Sequence, residues 1–386
     1  MTQDANTTQD LPFLPYGRQV ISEADIDAVV AALRSPWLTT GPLVADFENA
    51  VADFCDVRHG VAVSSGTAAL HAAMAAIGIG PNDEVIVPAM TFAATANAVV
   101  YQGGHPVFAD VVADTLLIDP ASVEALINKR TKAIVAVDYT GQPCDYPALR
   151  TIAERHGIRL VADACHSLGA EYNGKKVGTL ADCTIFSFHP VKHITTGEGG
   201  MVVTDNPDLA GAMRRFRNHG ISTDHRQREA IGTWHYEMVE LGYNYRITDF
   251  QCALGLSQMV QLPAFIERRR CIAHQYSEAF AASQAIRPLA IRPEAASAWH
   301  LYVVRLTGGI AREEAFRQLR EQGIGVNVHY LPVHLHPFYQ DRFGTRPGLC
   351  PVAEAAYECL LTLPLHPGMT TNDVQRVIKT LGEIFA

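Results

Sequence analysis

Lysine is scarce in this chain. Its 386 residues contain six: Lys129, Lys132, Lys175, Lys176, Lys192 and Lys379. Five sit where solvent is expected. Lys129 and Lys132 flank a helix-to-strand connection, Lys175 and Lys176 follow the turn dipeptide Asn173-Gly174, and Lys379 lies in a C-terminal helical stretch. Positive charge is short in general, since 31 Lys+Arg against 40 Asp+Glu leave a net charge of -9. That balance argues against a protein that binds nucleic acid or a membrane surface by bulk charge. An anionic substrate must be held by local basic groups or helix ends. The eight cysteines form no C-x-x-C pair and are expected to be reduced thiols of a cytoplasmic protein. The first ten residues are polar and acidic, without the basic and apolar regions of a secretory signal. No apolar run approaches the roughly 18 residues of a spanning helix.

A hydrophobic content of 48% is ample for a large core, and the length allows two or three domains. Apolar residues at helical spacing predict helices at 22–33, with Ser22 as N-cap, and at 43–54. Short apolar runs follow at 60–63, 84–87, 106–111, 133–139, 159–164, 184–188 and 201–204. Helix-like segments at 67–77, 93–101, 122–128 and 146–155 separate most of them. This alternation predicts an α/β fold with a buried, mostly parallel seven-stranded sheet and helices on both faces. The last two runs leave no room for a helix between them, so that junction is expected to be antiparallel. Beyond it the sequence predicts a helix at 209–217, a long loop at 222–233, a helix at 248–260, and a new helix starting at Pro263. The division is placed there: a large domain at 15–260 and a smaller α+β domain at 261–386, with strands at 300–306 and 325–329.

Lys192 is the lysine placed for chemistry. It lies in a turn of small and hydroxyl residues between two buried strands. A lysine there is costly unless its amine is used or its head reaches water. Desolvated, it has a lowered pKa and can attack a carbonyl to form a Schiff base. Asp163 ends the run Arg159-Leu-Val-Ala-Asp163, at the ligand edge of an open α/β sheet. It either caps the next helix or faces a ligand, and Lys192 downstream favours the second reading. Such a carboxylate is what pyridoxal phosphate needs beside its pyridine nitrogen. Ser64-Ser65-Gly66-Thr67 opens an Ala-rich helix and suits a phosphate or an ordinary N-cap. Ser187 is a further phosphate ligand or an outward strand serine. Phe92 is a stacking ring or a core residue, and His166 a ring contact or a helix start. His189 and His193 flank Lys192 without metal-ligand spacing, so no metal site is expected.

Several blocks together carry a resemblance. They are Ser65-Gly66-Thr67-Ala68-Ala69-Leu70, Thr91-Phe92 with Thr95, Asp163-Ala-Cys-His166, Ser187-Phe-His-Pro-Val-Lys192 and Gly197-Glu-Gly-Gly200. In this order they resemble the signature of the DegT/DnrJ/EryC1/StrS sugar-nucleotide aminotransferases, fold-type-I pyridoxal-phosphate enzymes, from about residue 15 to the C-terminus. The lysine block and Gly325-Val-Asn-Val-His329-Tyr330 most resemble the C4 aminotransferases of pseudaminic-acid biosynthesis.

The resemblance implies roles. Lys192 would hold the cofactor as a Schiff base and shuttle protons, and Asp163 would pair with the pyridine nitrogen. Phe92 would cover the ring, with His166 near its phenolic oxygen. Gly66, Thr67, Ala68 and Ser187 would hold the phosphate. Asn244 would reach the phosphate in the neighbouring subunit of a homodimer with shared active sites. Tyr16, His329 and Tyr330 would meet the sugar nucleotide. Apart from the resemblance, the local positive cluster Arg214, Arg215 and Arg217 is either a site for the diphosphate or a solvated helix face. The implied substrates are glutamate and a UDP-linked 4-keto-6-deoxy-N-acetylhexosamine, with an L-altrosamine product. The competing readings are a C3 or C4 aminotransferase acting on another UDP, dTDP or GDP sugar, and a cofactor-binding regulator or scaffold without turnover.

Overall fold

The computed structural model describes residues 12–223 and 225–385; the acidic stretch 1–10 lies outside the described residues. The strands in chain order begin with His59–Val63 (β1), Glu84–Pro88 (β2), His105–Ala109 (β3), Thr131–Val137 (β4) and Arg159–Asp163 (β5). A two-residue pair, Glu171–Tyr172 (β6) and Lys175–Lys176 (β7), precedes Cys183–Ser187 (β8) and Gly200–Thr204 (β9). The large sheet has the order β1-β9-β8-β5-β4-β2-β3. Strand β9 is antiparallel to both neighbours, β1 and β8. The remaining pairs are parallel.

The near-continuous apolar runs have a direct structural cause. Successive strand side chains point to opposite faces. Val61, Val63, Ile185 and Val202 enter one hydrophobic cluster, while Ala62, Phe186, Met201 and Val203 enter another. Both faces are therefore dry, and most strand positions are apolar. The helix Glu23–Arg34 starts at Ser22, whose side chain accepts from the Asp25 N–H while the Asp25 carboxylate accepts from the Ser22 N–H, a capping box. Two residues of its apolar stripe, Ile26 and Leu33, remain exposed on the single chain.

A second, smaller sheet holds Ile286–Pro288 (β10), Tyr302–Leu306 (β12) and Leu360–Leu363 (β13), all antiparallel, while Ala295–Ala296 (β11) joins β6. Its core takes Leu319 and Val377 from two C-terminal helices, and Ile272 and Tyr276 from the long helix Asp249–Phe280. Leu14 packs into the same core and bridges to Ile324, so the start of the described chain docks on the small lobe.

Three local expectations are corrected. The break at Pro263 does not occur, because one 32-residue helix runs through it. A proline removes one i→i−4 hydrogen bond, but Leu262 and Ile266 on either side are both buried in the same core, which holds the helix together. The loop 222–233 contains a short helix, His225–Ala230. The segment 325–329 forms no strand; only single bridges tie Leu14 to Ile324 and Asn327 to Thr362.

Candidate active site

The sheet's topology brings chain segments far apart in sequence to one edge. Asp163 is the last residue of β5 and Ser187 the last of β8. The helix Gly66–Ala76 starts three residues after β1. They face a cavity of about 560 Å³ that Lys192 also lines. Among the described residues no cluster of His, Cys, Asp or Glu could hold a metal ion.

Asp163 is held rigidly. Thr95 Oγ1 donates to its Oδ2 at 2.7 Å, and the Cys165 N–H donates to its Oδ1 at 3.3 Å. Thr91 and Thr95 share a further hydroxyl hydrogen bond of 2.8 Å. The carboxylate is buried, so it faces the cavity as a directed charge rather than a solvated one.

Lys192 sits in the turn between β8 and β9, half-buried, with its N–H bonded to the His189 carbonyl at 2.9 Å. Burial is the main influence on its ammonium and pushes the pKa below the ordinary lysine value. Arg269 pushes the same way, and Asp163 opposes it. The lysine is therefore biased toward the nucleophilic free amine.

The helix start forms an anion cradle. Ser65 caps the helix, its Oγ accepting from the Ala68 N–H at 3.1 Å. A Cβ on Gly66 would lie 2.9 Å from the Ser187 Cβ, and one on Gly200 would lie 2.3 Å from the Ser65 carbonyl. Glycine at both positions lets the backbone close around the helix end. Gly66, Thr67 and Ser187 line the cavity. Ala68 lies behind this wall, with its N–H already engaged by Ser65.

The opposite wall comes partly from the small lobe. His329 and Tyr330 line the cavity together with Tyr16 and Phe92. The His329 ring is tied to Thr362 Oγ1 at 2.8 Å and lies 5.4 Å from the Tyr16 ring. Burial lowers its pKa to about 3. Phe92 is no core residue: it is 61% exposed, and its ring lies 6.0 Å from that of Tyr330. His166 Nε2 meets the Tyr330 hydroxyl at 3.2 Å, while its buried Nδ1 has no partner. Burial, and then the nearby Lys192, hold the His166 pKa well below the usual imidazole range.

The arrangement is matched by known proteins over nearly its whole length. The DegT/DnrJ/EryC1/StrS aminotransferase family matches residues 19–382. The chain belongs to this family. The spore coat polysaccharide biosynthesis protein SpsC of Bacillus subtilis is 41% identical over 377 residues, covering 96% of this chain and 97% of SpsC. Spr1654 of Streptococcus pneumoniae, solved in apo, PLP and PMP forms, is 34% identical in its PLP form. That structure has a TM-score of 0.91 and covers 96% of this chain and 98% of its own. PseC of Helicobacter pylori, an aminotransferase involved in the biosynthesis of pseudoaminic acid, is 33% identical at a TM-score of 0.91, covering 97% and 99% of the two chains.

This family member is a fold-type-I, pyridoxal-phosphate-dependent aminotransferase. Its own residues fit the cofactor. The glycine-lined helix start suits the phosphate, Asp163 a pyridinium nitrogen, Lys192 the aldehyde carbon, and the unpartnered Nδ1 of His166 a polar group on the ring. When bound, the cofactor supplies an electron sink for a carbanion. Asp163 would then hold the pyridine proton by charge, and Lys192 would carry protons at Nζ.

Asn244, expected in the neighbouring subunit's site, is exposed and absent from this chain's own cavity wall. The three arginines do not reach the cavity either. Arg214 and Arg217 meet Glu48, and Arg215 meets Glu240 at 2.8 Å. Sequence reasoning gave no role to Thr95, His300 or Asn327, all of which line the cavity. Thr95 carried a signal, four residues beyond Thr91 on a helix, whereas His300 carried none.

Proposed function

We propose that this enzyme transfers the amino group of glutamate to C4 of a UDP-linked 4-keto-6-deoxy-N-acetylhexosamine, giving a product of L-altrosamine configuration, as in pseudaminic-acid biosynthesis. The observation that carries the reading is the two-sided cavity: Lys192 and Asp163 on the large-lobe edge face His329 and Tyr330 on the small lobe. An electron sink with a free lysine fits transamination, and the polar rings opposite fit a hydroxylated acceptor. The likeness to PseC over 97% of the chain supports the sugar assignment. The test is glutamate-dependent amination of a panel of UDP-, dTDP- and GDP-linked keto sugars. Preferred turnover of a dTDP or GDP acceptor, or of a 3-keto sugar, would replace the substrate while keeping the chemistry. Cofactor binding without turnover of any acceptor would favour a regulator.

The working unit in this proposal is a homodimer. Trp234 is 86% exposed and Val260 83% exposed on the single chain, and Asn244 is exposed and does not line its own cavity. Both features fit a second copy that covers these apolar groups and receives Asn244. The cytoplasmic location is also a proposal; it is supported by eight free cysteines, the state a reducing compartment maintains. No described helix is long and apolar enough to cross a membrane.

A further inference from the structure

His300 approaches the reactive lysine from a segment that the whole fold pins in place. Its Nε2 lies 3.4 Å from Lys192 Nζ across 108 residues of chain. The preceding residue, Trp299, has φ +52, a conformation that bulky residues rarely adopt and that persists only where surroundings impose it. The surroundings do so here. The Ala298 and Leu301 N–H groups donate to the Gly141 and Thr140 carbonyls at 3.0 and 3.1 Å. A Cβ on Gly141 would come within 2.9 Å of the His300 backbone nitrogen. Arg269, 1% exposed and without a carboxylate partner among the described residues, donates to the His300 carbonyl at 3.2 Å and to the Lys192 carbonyl at 3.5 Å. One buried guanidinium thus holds both backbones whose side chains meet.

We propose that His300 is a positioning residue for Lys192, its Nε2 accepting a hydrogen bond from Nζ and fixing where the amine points. The proposal rests on the assignment of Lys192 as the reactive amine. A neutral imidazole is required, and burial first, then Lys192, hold the His300 pKa well below its usual range. The other charged or titratable groups facing the pair are Asp163 at the end of β5, Cys165 and His166 just beyond it, His193 in the lysine turn, Arg269 on the long helix and His329 on the small lobe. Accepting a hydrogen bond stabilises the ammonium form, so loss of the acceptor favours the free amine and lowers the lysine pKa.

The test uses the full chain freed of cofactor, pulsed with acetic anhydride across a pH series, with acetylation at Lys192 read by peptide mass spectrometry. His300→Leu and His300→Asn, the second polar but too short to reach, should move the labelling midpoint down by about half to one pH unit. That is a roughly threefold to tenfold change in the amine-to-ammonium ratio. His300→Gln, which reaches the position of Nε2, should restore the wild-type midpoint. If His300→Leu does not fold, the Asn and Gln variants decide. An unchanged midpoint in His300→Asn, or a shift to higher pH, overturns the proposal. Wild-type protein that forms no visible cofactor band, or Lys192→Ala that forms the same band as wild type, would instead overturn the assignment of Lys192.

Discussion

Thr95 Oγ1 donates a 2.7 Å hydrogen bond to Asp163 Oδ2, joining residues 68 positions apart inside a buried site. Hydrogen bonds to charged groups contribute about 1.5–3 kcal/mol, enough to matter for a carboxylate that lines the cavity. Thr95→Val keeps the shape and removes the donor. The single-turnover reaction with glutamate should slow by about tenfold. Asp163→Asn, which removes the charge itself, should slow it by on the order of a hundredfold or more. Near-normal rates in Asp163→Asn would remove that residue from the mechanism.

Lys192→Ala should abolish turnover while circular dichroism and oligomeric state stay as in the wild type, because among the described residues no hydrogen bond depends on its Nζ beyond that to His300. The same variant tests the shared site. Mixing it with Asn244→Ala under conditions of subunit exchange should regenerate native sites, and activity should rise above the mean of the two parents. Confirmed exchange with activity at that mean would place Asn244 outside the partner's site.

The His329 ring is anchored to Thr362 on one side and opens to the cavity on the other. His329→Ala should raise the KM for the keto sugar about tenfold or lower its turnover to a similar degree. The glutamate half-reaction should change by less than about twofold. Equal damage to both half-reactions would assign His329 to the fold or the cofactor.

Acid should destabilise the protein through its buried imidazoles. Burial lowers His71 and His366 to about 4 and His329 to about 3, from an ordinary 6.5. Below about 6.5 the unfolded chain binds protons that the native state refuses, so stability is full above that pH and is lost as the pH falls toward 3–4. Each group contributes at most about 1.4 kcal/mol per pH unit across the window. Urea unfolding at pH 7 and pH 5 should show the loss, and His71→Gln should flatten it. An unchanged pH slope in that variant would mean that His71 is protonated in the native state.

The seven strands were legible because a sheet dry on both faces demands apolar residues at most positions, a local pattern. The antiparallel entry of β9 followed from the short turn before it. The places of Asp163, Gly66 and Ser187 were legible for a related reason: each ends a strand or opens a helix, and those ends converge on one sheet edge; Lys192 lies in the turn between two of the strands. Pro263 misled because its local cost is fixed, whereas the burial of Leu262 and Ile266 that outweighs it is tertiary. The arginine triplet misled in the opposite sense, since its spacing could not reveal Glu48 and Glu240 waiting nearby. The amino-acid sequence by itself determined the alternating elements, the cofactor chemistry and the family. Only the tertiary structure decided that Thr95 meets Asp163, that His300 meets Lys192 and that one arginine clamps both backbones. Contacts across 68 and 108 residues leave no periodicity in the chain, because they exist only after the sheet has brought distant strand ends to one edge.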